Sequence, residues 1–206
     1  LQTRLTPSEL RAYRSKLLTR KIIFNFRQSF VVTDDAIPTA LEIEEAAKCF
    51  RTSVRHARCG MTQREVEERL ASLEAEAEAA RANQQPRPAL QEEIDEVRGY
   101  LKESKVDEPF MAHFIAQDWK FQRALHRKYG GRAWMGESGP EAIDAMRAWL
   151  KDAAAQGDLG FANDSDRDAF WAQFPAPDQP IPSELENPAQ VFETLTAYTE
   201  ASAPAH

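Results

Sequence analysis

Glycine is scarce in this chain, at 8 of 206 residues, against a usual share of about 7%. With abundant alanine, glutamate and arginine, that shortage leans the backbone towards helix. Histidine numbers only 4, and none is spaced like a metal site. We therefore expect neither a bound metal nor a cofactor. No stretch approaches the ~18 consecutive apolar residues that a membrane span needs, which predicts a water-soluble protein. Disorder is excluded by the opposite quantity: hydrophobic residues make up 42%, too many for a chain that stays unfolded. The length suits one sizeable domain or two small ones, enough to bury a core.

The net charge of −7 hides a segregation. Residues 1–60 hold 11 basic and 6 acidic side chains, and residues 61–108 hold 7 and 13. Residues 109–157 hold 7 and 5, whereas 158–206 carry Arg167 alone against 9 acids. A basic beginning and an acidic end can attract each other across a fold. The acidic total argues against nucleic acid as a partner. The chain starts at Leu1, and we expect a removed segment ahead of it, lost by processing, as a signal peptide is, or by deliberate truncation. Cys49 and Cys59 are the two cysteines. In one unbroken helix they would lie about 15 Å apart, too far to bridge. A disulfide needs the chain to turn between them, and two separate thiols are the other reading.

Helix punctuation is legible from the start. Thr6-Pro7-Ser8-Glu9 offers an N-cap, a first-turn proline and a capping-box glutamate. Leu10, Tyr13, Leu17 and Phe24 then share one face, widened by Leu18, Ile22, Ile23 and Phe26. This predicts a helix over 7–29, broken by Val31-Val32-Thr33-Asp34-Asp35. Thr39-Ala40-Leu41-Glu42 opens a second helix that Gly60 would stop. Thr62-Gln63-Arg64-Glu65 opens a third, reaching about Asn83, with a narrow seam of Val66, Leu70, Leu73 and Ala77. Past a break at Gln84–Pro88, Leu90, Ile94, Val97 and Leu101 supply a matching seam. Residues 62–105 thus read as an antiparallel helical hairpin, either a projecting arm or two layers of a bundle.

Asp107-Glu108-Pro109 would start the most aromatic helix, running to about Tyr129. Phe110, Phe114, Phe121 and Leu125 mark one face, with Ile115 and Trp119 beside it. A stripe so wide is either core or a groove for apolar peptide. Four of the eight glycines fall in the loop 130–139, expected to be a hinge between two helical halves. Ser138-Gly139-Pro140-Glu141 would open the next helix, with Ile143, Met146 and Leu150 inward and Gly157 as its stop. A short helix is expected around 165–174. Pro175, Pro177, Pro180 and Pro182 predict an extended segment. Asn187-Pro188-Ala189-Gln190 would cap a last helix bearing Val191, Leu195 and Tyr198, docked on the body with only the final residues loose. No strand pattern competes. The expected fold is all-α: a helical domain over 1–174, then a proline-rich segment and C-terminal helix over 175–206.

Constellations that carry chemistry fail one by one. Gly131-x4-Gly136-Glu137-Ser138 has phosphate-loop spacing but puts glutamate where lysine is required. Asp164-x-Asp166-x-Asp168 opens like a calcium loop, yet its sixth position is Ala169 and its twelfth Pro175. His113 and His126 fall on largely opposite sides of their helix. Cys59 with His56 lacks an identifiable orienting Asn or Asp. No catalytic residue is assigned.

Leu17-Leu18, Ile22-Ile23, Val31-Val32-Thr33-Asp34-Asp35, and later Gly60-Met61-Thr62-Gln63-Arg64-Glu65-Val66 with Leu70 form a familiar series. Over residues 9–72 it resembles the helical amino-terminal domain of SurA-type periplasmic chaperones and parvulin-containing folding factors. Pro38 and the residues after it have no counterpart in that pattern, and no parvulin domain follows. The resemblance implies a bacterial periplasmic protein that holds unfolded or extended apolar polypeptide without prolyl isomerisation. Peptide contacts are then expected on Phe110, Phe114, Trp119 and Trp134, with core packing the competing role for the first two. The alternative partner is one specific protein, bound by the hairpin as in an adaptor or assembly subunit.

Overall fold

The computed structural model describes residues 7–30, 37–85, 87–136, 139–176 and 178–202. The expected cap at Thr6, the break at 31–35 and the chain's last four residues lie outside them. The described elements are helices α1 (Pro7–Phe30), α2 (Ala40–Ser53), α3 (Gln63–Ala82) and α4 (Pro88–Tyr129), strands β1 (Trp134–Gly136) and β2 (Gly139–Glu141), and helices α5 (Ile143–Ala155), α6 (Asp164–Trp171), α7 (Pro188–Glu193) and α8 (Leu195–Ser202). The fold is a helical bundle with one small antiparallel strand pair. It divides into two compact units, neither a single stretch of chain: Leu1–Ile37 with Trp119–Thr194, and Pro38–Asp118 with Leu195–His206.

The second unit is built from two capping boxes and a hairpin. Thr39 accepts the Glu42 N–H at 3.2 Å while the Glu42 carboxylate accepts the Thr39 N–H at 2.7 Å. Thr62 and Glu65 repeat the arrangement at 3.2 and 2.7 Å. Helix α2 ends at Ser53, seven residues before the expected glycine stop. Val54 is extended, Arg55 bridges to Thr62, and Gly60 (φ +67°) serves the turn between them instead of a helix end. An extended entry is what a capped Thr62 demands, so the third helix's cap limits the second helix's length. Cys49, near the end of α2, and Cys59, in the turn before Gly60, are free thiols.

In the hairpin, Val66 and Leu73 of α3 pack on Leu90, Ile94 and Val97 of α4. Ion pairs Arg69–Glu93, Glu74–Arg98 and Glu67–Lys105 flank that seam. A buried hydrogen bond from the Ser104 hydroxyl to Gln63 Oε1 (3.0 Å) fixes its register. The second limb does not stop near 105. Helix α4 runs unbroken through Pro109, so the expected helix start at Asp107 is absent. Helix α8 covers α2, burying Ala46 and Phe50 with Leu195 and Tyr198, and the Tyr198 hydroxyl donates to Asp118.

In the first unit, Phe121, Leu125, Ile143, Met146 and Leu150 form a buried core, with Trp149 edge-on to both Phe26 and Phe121. The loop 130–139 lies wholly inside this unit, and part of it is strand: Met135 is paired with Pro140 across β1 and β2. Pro140 and Glu141 are therefore strand residues, and α5 begins only at Ile143. Ala142 at its N-cap has no capping side chain of its own, and Gln122 of α4 supplies the acceptor for its N–H at 2.9 Å. The proline-rich segment docks along β1 through Met135 N–H to Ser183 O and Leu185 N–H to Ala133 O, both 2.9 Å. The single expected last helix is two, parted by extended Thr194, and Asn187 makes no side-chain cap.

Candidate functional site

Helix α1 buries only part of the apolar face its spacing advertises: Ile22 and Phe26 are half-buried, whereas Tyr13, Leu17 and Phe24 are exposed. Ser15, Thr19, Ile22 and Phe26 share one side at 100° per residue. Among them, the Ser15 hydroxyl donates to Ala169 O of α6 (3.2 Å) and Phe26 meets Trp149. Tyr13, Leu17 and Phe24, about 180° away, are left in solvent, with Tyr13 57% and Phe24 59% exposed. The fourth expected member, Leu10, has its side chain outside the described residues. Helix α1 packs through its mixed face on α6, whose Phe170 and Trp171 cluster with Phe161 before the helix and Phe174 after it. Periodicity identifies an apolar stripe but not whether a partner within the fold covers it.

Helix α4 carries a second exposed stripe. Val106, Phe110 and Phe114 recur every four residues, and Phe110 is 72% and Phe114 38% exposed. Core packing, the competing expectation for these two phenylalanines, is thereby corrected. Glu108, between Val106 and Phe110 in sequence, pairs with Arg51 of α2 at 2.6 Å and orients this part of the helix. Pro109 brings no N–H to the carbonyl of Lys105, so the helix offers a backbone acceptor beside the stripe. Phe121 and Leu125, further along the same face, are fully buried in the other unit.

The four residues expected to contact peptide divide between the units. Phe110 and Phe114 are surface residues of one unit. Trp119 is a core residue of the other, 4% exposed, with the Arg123 guanidinium 4.0 Å from its ring centre. Trp134, half-buried in β1, donates its indole N–H to Glu141 at 3.3 Å and holds the strand pair together. Tyr13 and Phe24, which the spacing put on the apolar face of α1 without singling them out as contacts, are exposed as Phe110 and Phe114 are.

Among the described residues, the His56 ring is held by groups other than Cys59. The backbone N–H of Arg58 points at His56 Nδ1 (3.3 Å), which leaves Nε2 to donate to Glu103 at 3.1 Å. Both ring nitrogens are engaged without Cys59. The phenol of neighbouring Tyr100 donates to Glu96, which raises its pKa above the ordinary value of 10.0. Asp166, in the calcium-like run, accepts from the Asn163 side chain at 2.9 Å, and Asp164 and Asp168 pair with Arg167. Among the described residues, no group of three or more potential ligands could hold a metal ion. No helix of the described residues is long and apolar enough to cross a membrane. No family model, curated protein or solved structure matches this chain.

Proposed function

We propose that this is a non-enzymatic, chaperone-like protein that binds unfolded or extended apolar polypeptide, in the bacterial periplasm as its amino-terminal resemblance implies. The observation that carries the reading is the outward apolar face of α1, Tyr13, Leu17 and Phe24, seconded by Val106, Phe110 and Phe114 on α4. Burying one such side chain against a client contributes about 1.5–3 kcal/mol before ordering losses. A few contacts of that size give weak, exchangeable binding, which suits holding and release. The adaptor reading through the hairpin draws less support, because its apolar seams pack on each other and its flanks are ion-paired.

The test is suppression of client aggregation at near-stoichiometric ratios, with Tyr13→Ser, Phe24→Ser and Phe110→Ser combined as the comparison. These positions are exposed, so the triple variant is expected to keep its melting temperature and lose most of the suppression. Equal suppression by variant and wild type, or none by wild type across several clients, would sink the proposal. Recovery of one stoichiometric partner in a pull-down, with no general suppression, would favour the adaptor instead.

A further inference from the structure

The side of α1 turned away from its exposed stripe borders a separate cleft. It lies within one unit, between α1, the turn at 160–162 and α6, and encloses about 370 Å³. Leu18, Ile22, Phe161 and Phe170 give it apolar walls. A volume of that order with mainly apolar walls and few polar groups is what small-molecule sites have.

Two polar side chains in the lining are unexplained by the fold. Thr19 is buried, at 6% exposure, and its hydroxyl has no hydrogen-bond partner in the protein. A buried hydroxyl without a partner destabilises the folded state, and valine would fill the same space without that penalty. Arg14 is exposed at the edge of the cleft and forms no ion pair among the described residues. Of the other polar groups in the lining, Ser15 donates to Ala169 O, the Asp166 carboxylate accepts from the Asn163 side chain, and Ser165 and Asp166 are exposed to solvent. On α1, Arg14 and Thr19 stand about 140° apart, with Leu18 and Ile22 between them. An apolar floor thus separates an accessible cation from a buried hydroxyl.

We propose that this cleft binds a small monocarboxylate with a compact aromatic or branched aliphatic body that carries one further hydrogen-bonding group. Its carboxylate meets the Arg14 guanidinium, its body covers Leu18, Ile22 and Phe161, and its internal group pairs with the Thr19 hydroxyl. The site is independent of polypeptide binding, since it uses the opposite side of α1.

Three probes separate these contributions on the full chain, followed by calorimetry and amide chemical-shift mapping. Indole-3-acetate has body, carboxylate and ring N–H; naphthalene-1-acetate lacks the N–H; tryptamine replaces the carboxylate with a cation. Indole-3-acetate is expected to bind saturably, shifting amides in 14–22 and 160–170, and tryptamine at least about tenfold more weakly. Arg14→Gln should weaken indole-3-acetate by about tenfold and remove that preference. Thr19→Val should raise the melting temperature of the ligand-free protein while abolishing the preference for indole-3-acetate over naphthalene-1-acetate. The proposal is overturned by absence of saturable shifts at millimolar probe, by equal binding of tryptamine, or by a Thr19→Val protein that keeps the probe preference.

Discussion

Arg132 ties the loop before β1 to α5 and to the proline-rich segment. Its guanidinium binds both oxygens of Asp144, at 2.9 and 3.0 Å, and reaches the carbonyls of Ala176 and Gln179 in the proline-rich segment. Gly131, at φ +89°, passes so close that an added Cβ would stand 2.6 Å from the Asp144 Cβ, so only glycine lets the loop approach the pair. Burial pushes the Asp144 carboxyl up, but hydrogen bonds from the Arg132 side chain and backbone, with its charge, outweigh that and hold it below the ordinary 3.8. A carboxyl whose folded pKa is depressed contributes stability above its unfolded pKa and loses it as pH falls through the folded value. Asp144→Asn should therefore lower the melting temperature at pH 7, with the gap to wild type closing as pH is taken below 3.8. A gap that stays constant in thermal melts down to pH 2 would contradict the assignment.

Elements are legible in the sequence where local chemistry alone decides them, and less so where a distant neighbour does. Both capping boxes, the hairpin seams and the stops at Asn83 and Gly157 need only the residues nearby. The end of α2 depends on Thr62 needing an extended approach, and the start of α5 on Gln122, twenty residues away. Pro109 misleads for a different reason. Proline removes one hydrogen bond and strains one turn, yet packing on both sides of it, Val97 before and Ala112 after, carries α4 through. Because Pro109 is exposed, Pro109→Ala should restore the bond to Lys105 O without losing packing and stabilise the protein by about 1–3 kcal/mol. A urea midpoint that fails to rise would show that the proline shapes the helix instead. The candidate surfaces are half legible: spacing identifies the stripes on α1 and α4, but which side of α1 is covered depends on α6, far along the chain.

At the scale of the whole molecule, neither unit is complete within one run of sequence. The unit built on the hairpin needs α8, from the far end of the chain, to cover α2. Removing residues 195–206 should expose Ala46 and Phe50 and accelerate hydrogen exchange in α2, leaving α5 of the other unit protected. Unchanged exchange in α2 would mean that α8 contributes little to holding it. The same interleaving sets a timetable for synthesis. Ser15 must wait for Ala169, 154 residues later, and at ~5–20 residues per second that is roughly 8–30 s. Through that interval both sides of α1 are uncovered on the nascent chain, so a protein that presents apolar surface when finished presents more of it while being made. Its own yield in the cell should thus depend on the folding helpers that meet it at the ribosome or beyond.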